Sequence, residues 1–318
     1  MFQVVIAALL AIVLATQAQA ASRLFVVSKG KRALQVFNPD SGQQEFEIVV
    51  PGALHEVALS PDGRFAYVAD YEGVKNTLTV IDANAKSIVG TLVLAPNYMP
   101  HGLVVTRDGS TLYATCAASH SVVEVGLQPL QVKRAFKVFA DRTDIVALSP
   151  DEKLLYASSA IDGNFAVIDL VKGELERSIL SGNGCEGIAA SPDGSEIWLA
   201  NRVSQTVTVV DVASRRKVKT IPCVGNPMRI YFTPDGKRAV VTCAVAGRLA
   251  IFDRAKRVET GRFVVGEFPI EIAFSGEGKP VYVTNARANE VAVVDLDAKS
   301  VLRRIPVGPD PEGVAYSE

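Results

Sequence analysis

The chain has 318 residues, 33 basic against 34 acidic side chains, 48% hydrophobic residues and a formal net charge of −1. So apolar and nearly neutral a composition excludes a disordered chain. It also lacks the basic surface with which proteins displace counterions from nucleic acid, so no nucleic-acid partner is expected.

Residues Met1 to Ala20 carry no charged side chain. Val4 to Ala15 is an apolar run, and Ala18-Gln19-Ala20 has the small-x-small pattern that signal peptidase reads. Residues 1–20 therefore read as a signal peptide cleaved after Ala20, and the mature chain as periplasmic or secreted. An uncleaved amphiphilic anchor is the alternative, since no Lys or Arg precedes the run. The run is shorter than the roughly 20 residues of a bilayer span, and no membrane span is expected in the mature chain.

Leu24 to Ser28, Ala33 to Phe37 and Phe46 to Val50 then read as three short strands, rich in β-branched and aromatic residues. Beyond them a turn motif recurs. Ser60-Pro61-Asp62-Gly63 is followed by Thr106-Arg107-Asp108-Gly109, Ser149-Pro150-Asp151-Glu152, Ser191-Pro192-Asp193-Gly194, Thr233-Pro234-Asp235-Gly236 and Ser275-Gly276-Glu277-Gly278. The intervals are 46, 43, 42, 42 and 42 residues. Each unit predicts four strands, a to d. In the fifth these are Glu186–Ala190, Glu196–Ala200, Thr206–Val210 and Lys217–Pro222. Pro presets φ and Gly accepts positive φ in the a–b turn. The last strand, Glu312 to Ser317, supplies strand a for the three strands at the beginning.

Four strands per repeat, with remnants that complete one more unit, specify an all-β, seven-bladed β-propeller of antiparallel blades over residues 21–318. It is closed by N- and C-terminal strands sharing one blade, and a monomer is expected.

Tyr282-Val283-Thr284-Asn285, with the variants Tyr67-Val68-Ala69-Asp70 and Trp198-Leu199-Ala200-Asn201, resembles the YVTN-type repeat of exported, YncE-like and lactonase-like propellers. The resemblance covers the mature chain and implies the fold. It also implies association with periplasmic redox enzymes in some members and lactonase-like chemistry in others, because one architecture hosts many functions.

Positions that agree between repeats are structural. Asp82, Asp169, Asp211, Asp253 and Asp295 end strand c and are expected to cap the c–d turn. The departures carry the functional signal. Five extra residues lengthen connections between blades 2 and 4 (Asp70 to Asp82, Asp82 to Thr106, Gly126 to Ser149), all on the face of the b–c turns. Loops that grow on one face of a rigid scaffold commonly bind. On that face, five residues before each turn motif, stand His55, His101, Asp144, Glu186, Met228, Ile270 and Glu312. One place later come Glu56, Gly102, Ile145, Gly187, Arg229, Glu271 and Gly313.

Imidazoles and carboxylates on adjacent strands suit a divalent metal, with His55, His101, Asp144 and Glu186 as the expected ligands. A small ligand without metal, or a solvated polar rim, are the alternatives. Tyr71, Asn97, Tyr98 and Met99 lie in the lengthened loops and could cover the site. Arg229 could meet a ligand carboxylate, or instead pair with Glu186 or Glu271. His120 reads as a surface residue.

Among the four cysteines, Cys185 and Cys243 lie near enough in outline to pair, Cys116 and Cys243 do not, and Cys116 reads as a buried thiol. The bases Arg215, Arg254, Arg257 and Arg304, with their neighbours, read as solvated charge on the opposite rim.

The reading as a whole is an exported binding or scaffold module. It would hold a small molecule, cofactor or periplasmic protein partner at the channel mouth, with a divalent metal as the candidate cofactor. A metal-assisted lactonase or lyase at the same mouth is the alternative.

Overall fold

The computed structural model describes residues 22–71, 76–138 and 141–318. The expected signal peptide and the tip of the lengthened blade 2 turn, residues 72–75, lie outside them. The described residues form 28 strands in seven four-stranded antiparallel sheets, and one 3-10 turn at Ala117–Ser119. None of their helices is long and apolar enough to cross a membrane.

The strands of the fifth blade, Cys185–Ala190, Glu196–Asn201, Thr206–Asp211 and Arg216–Pro222, each begin or end one residue from the expected bound. The closing blade is built as expected. Pro311–Ser317 pairs antiparallel with Arg23–Ser28, and Ala33–Phe37 and Gln44–Val49 follow outward. Strand a lies innermost in every blade and neighbouring inner strands touch, so the seven sheets ring a central channel.

The core sits between blades rather than along the axis. Trp198, Val207 and Val209 of blade 5 pack against Ile230, Val241 and Phe252 of blade 6. Each such side chain contributes about 1.5–3 kcal/mol by leaving water. Strand d, outermost, alternates exposed with more buried residues where it is most regular, as in Ser300–Pro306.

The repeated polar residues are satisfied at the turns. Ser60 Oγ donates to Asp62 Oδ1 (2.5 Å) and accepts from the Phe65 amide (2.8 Å). The same pair of bonds is made by Ser149 with Asp151 and Leu154, and by Ser191 with Asp193 and Glu196. The strand c aspartates cap their turns as expected. Asp82 Oδ1 accepts from the amides of Asn84 and Ala85, and Asp169 Oδ1 from those of Val171 and Lys172.

The bases of the opposite rim are largely paired, Arg254 with Asp193 and Glu196, Arg257 with Glu196 and Arg215 with Glu176. All four cysteines are buried free thiols. The outline that set Cys185 beside Cys243 is corrected, because Cys223 is the neighbour of Cys243, with 3.7 Å between sulfurs. Cys185 points to the other side of its blade and joins the core with Tyr156 and Phe165.

Candidate functional site at the channel mouth

Every inner strand carries an irregularity at the same height. Leu54 pairs with Asp70 and Val57 with Val68, so His55 and Glu56 together face the single residue Ala69. Equivalent register shifts occur at His101–Gly102, Asp144–Ile145, Glu186, Met228–Arg229, Ile270–Glu271 and Glu312–Gly313. A bulge of this kind breaks the alternation of a strand and re-aims its side chains.

The bulges are stitched by strand b hydroxyls. Gly102 N donates to Thr115 Oγ1 (2.8 Å), and that hydroxyl donates to the Asp144 carbonyl of the next blade (2.5 Å). Ser158 and Thr284 do the same between their blades. Glycine is required where neighbours press closest: a Cβ on Gly187 would lie 2.4 Å from the Met228 carbonyl, and one on Gly102 2.6 Å from that of Asp144.

Two layers result. In the upper one the rings of His55 and His101 lie 4.1 Å apart between centroids, and the Tyr71 ring stands edge-on to both, at 5.0 and 4.7 Å. His101 Nδ1 lies 3.1 Å from the Asp144 carbonyl. A carbonyl only accepts, so Nδ1 carries the proton and Nε2 keeps its lone pair. His55 Nδ1 is 3.5 Å from Glu56 Oε1 and Nε2 is 3.6 Å from Glu312 Oε2. Burial, with Arg229, Lys29 and Arg142 nearby, holds the His55 imidazole well below its ordinary pKa. Burial, then His55 and Arg229, do the same to His101.

Each carboxylate of this layer has a basic partner from outside the ring: Asp144 has Arg142 (3.1 Å), Glu186 has Arg202 (2.8 Å) and Glu312 has Lys29 (3.3 Å). Burial nevertheless lifts Asp144 to about 6 and Glu312 to about 7.

The lower layer is an ionic diaphragm. Arg229, with 1% of its side chain exposed, reaches from blade 6 across the axis to Glu56 of blade 2 (2.7 Å). It also pairs with Glu271 (3.1 Å) and approaches Glu186 (3.8 Å). Burial opposes its charge, but Glu56, Glu271 and Glu186 hold the guanidinium well above its usual range. Arg229 thus takes the pairing role rather than facing outward, and Glu56 joins the two partners expected from the repeat.

His55, Glu56 and His101 each bring a ligand atom, all within 4.8 Å of one another. This trio contains two of the four expected metal ligands; Asp144 and Glu186 lie outside it, paired with Arg142 and Arg202, and Glu56 itself is bonded to Arg229 (2.7 Å). Glu56 is expected at the mouth among the ligand-binding residues but not among the metal ligands; the bulge that turns it toward the histidines leaves no mark in the spacing. Among the side-chain atoms of the mouth buried without a hydrogen-bond partner are His55 Nδ1, Thr143 Oγ1, Asp144 Oδ2, Glu186 Oε2, Arg202 Nε and Arg229 Nη1.

Of the loop residues, Tyr71 covers the histidines as expected. Asn97 is buried and bonds Ser121 and the Leu94 carbonyl. Tyr98 turns outward, 47% exposed, and Met99 is held through its amide by Asn76 (2.8 Å). His120 is half exposed beside Asp141, away from the trio.

A family model described as YNCE-like beta-propeller matches residues 84–272. The chain belongs to that family. No curated protein matched the sequence. Among solved structures, this YNCE-like propeller is similar to a chain of Kuenenia stuttgartiensis hydrazine synthase, with 23% identity and a TM-score of 0.74 over 85% of this chain and 91% of that one. It is also similar to a functionally unknown protein from Desulfotomaculum acetoxidans, with 13% identity and a TM-score of 0.80 over 93% and 99%. At these identities the likeness establishes the propeller fold of the YNCE-like chain and leaves its site to be argued from its own residues.

Proposed function

We propose that this propeller is an exported binding module whose mouth holds a divalent transition-metal ion on His55, Glu56 and His101. The observation that carries the reading is the approach of these three donor atoms to within 4.8 Å of one another. Two imidazoles and a carboxylate suit Zn, Mn or Fe, and three protein ligands leave a coordination position open for a small ligand. The hydrogen bond from His101 Nδ1 to the Asp144 carbonyl is the orienting contact that metal-bound histidines ordinarily have. Tyr71 limits access from solvent. Export rests on the leader-like residues 1–20, and service to a periplasmic redox enzyme rests on the family resemblance.

The test is metal titration of the chelator-stripped protein with Zn²⁺, Mn²⁺ and Fe²⁺ by calorimetry, with elemental analysis. One ion per chain is expected, with affinity falling about a hundredfold or more in His55→Ala and in His101→Ala, each of which removes a direct ligand. Absence of stoichiometric metal in the wild type, or equal affinity in all three proteins, rejects the reading.

The alternative, a metal-assisted lactonase or lyase, draws on Asp144. This carboxyl, lifted to about 6 by burial, has the acid–base range useful near neutrality. Turnover of a lactone by metal-loaded wild type, lost in Asp144→Asn, would favour it.

A further inference from the structure

Neighbouring blades meet at one repeated place away from the mouth. The residue just past strand d donates its amide to the b–c turn of its own blade, as Ser181 does to the Gly163 carbonyl and Cys223 to that of Gln205. Its counterpart is the last residue of strand b in the following blade. Between blades 4 and 5 the two are Ser181 and Asn201, with Ser181 Oγ donating to Asn201 Oδ1 (2.6 Å). Between blades 5 and 6 they are Cys223 and Cys243, both fully buried, with sulfurs 3.7 Å apart. We propose that these two thiols are a disulfide site, oxidised in the exported protein to a covalent tie across this seam.

Both side chains already belong to one core cluster, and reaching the S–S bond length of about 2.05 Å asks about 0.8 Å of each sulfur. The other thiols have no such neighbour. Cys116 holds the strand b place between blades 2 and 3, but its counterpart there is Leu94, and Cys185 packs with Tyr156 and Phe165. A thiol is a weak donor and a weak acceptor, so the reduced pair ties its seam less firmly than Ser181 and Asn201 tie theirs. Oxidation is an exchange with a small or protein-borne disulfide. One cysteine thiolate attacks that disulfide and expels a thiolate. The second cysteine attacks the mixed disulfide and expels the other, and the two cysteine protons pass to the departing thiolates. Both sulfurs are shut from solvent once blades 5 and 6 meet, so the exchange belongs to folding, before the seam closes. An exporting compartment supplies the oxidant, and in the cell the inference therefore rests on the export proposed above.

Refolding the full chain in a mixture of glutathione and glutathione disulfide tests the pair. Intact mass should show the loss of two hydrogens, peptide mapping should join Cys223 to Cys243, and alkylation under denaturing conditions should reach only Cys116 and Cys185. Reduction should lower the thermal midpoint by about 5 °C, the loss expected on opening a loop of this length. The double change Cys223→Val with Cys243→Ser copies Val138 and Ser159, which hold the same two places between blades 3 and 4. It should fold, and melt at one temperature with or without reductant. Four free thiols after oxidative refolding, a bond to Cys116 or Cys185, or a wild-type midpoint indifferent to reductant overturns the proposal. A bond formed on refolding, beside cellular protein that keeps residues 1–20 and reduced thiols, upholds the pair and counts against export alone.

Discussion

The two ends of each inner strand follow different rules. At the turn end, five of the seven blades repeat a Ser or Thr with an Asp two residues on, joined by the same side-chain bond. At the mouth end no two adjacent blades place the same pair of residues, and several buried polar atoms, Asp144 Oδ2 and Thr143 Oγ1 among them, make no hydrogen bond. Repetition marks what any blade needs in order to fold. Divergence with incomplete satisfaction marks where the ring faces something other than itself, since buried polar groups are ordinarily paired. Blade 7 shows how little sequence separates the two. Its Ser275-Gly276-Glu277-Gly278 lacks the Asp, and Ser275 Oγ is left buried without a partner.

Four experiments test this contrast. The largest effect is expected at Arg229. Arg229→Met leaves Glu56 and Glu271 buried without their cation, and stability at pH 7 should fall by about 3–5 kcal/mol in urea titration. A loss under 1 kcal/mol would mean that the diaphragm is wet and weakly coupled.

Next comes the pH dependence carried by Glu271, which faces Glu56, Arg229 and Tyr231. Its folded pKa is raised to about 7 from an ordinary 4.5. Its contribution is therefore fully present below about pH 4.5 and lost as pH rises toward 7. Wild type should lose about 2 kcal/mol over that window relative to Glu271→Gln, read from urea midpoints at successive pH values. Parallel curves for the two proteins would contradict the assignment.

At the turn end the losses should be smaller and alike. Ser60→Ala, Ser149→Ala and Ser191→Ala should each cost about 1–2 kcal/mol by leaving a strand b amide unsatisfied. Pairs of these changes in distant blades should add. Strong non-additivity in denaturation midpoints would show that the turns are not independent units. The smallest effect is expected for Tyr98→Ala. Its ring is 47% exposed, and the change should stay within about 0.5 kcal/mol.

The architecture was legible because the turn motif returns every 42 or so residues, and the strands could be placed within one residue in the fifth blade and within two in the closing blade, where Phe46 to Val50 was expected and Gln44–Val49 is observed. The seam was legible because Glu312 to Ser317 lacks b, c and d strands while Leu24 to Val50 lacks an a strand. The mouth was legible as a ring of positions, which correctly set His55 beside His101 and Tyr71 over them. What the pattern could not carry was direction. A bulge adds a residue without altering repeat length, so nothing in the spacing showed how Glu56 is aimed. Nor did it show that Arg229 spans the axis instead of meeting a nearer neighbour alone. Cys223 and Cys243 meet for a related reason. Their contact runs between the end of one blade and the second strand of the next, and counting within repeats does not reveal it.

The seam has a consequence in time as well as in space. Glu312 belongs to the strand that closes the ring, yet it pairs with Lys29 of the opening strand and approaches His55. During synthesis Lys29 and His55 emerge long before their acidic partner. A ring one strand short would keep six full blades, a bare sheet edge and a mouth missing one of its acids. Completion of the site and closure of the ring are thus a single event.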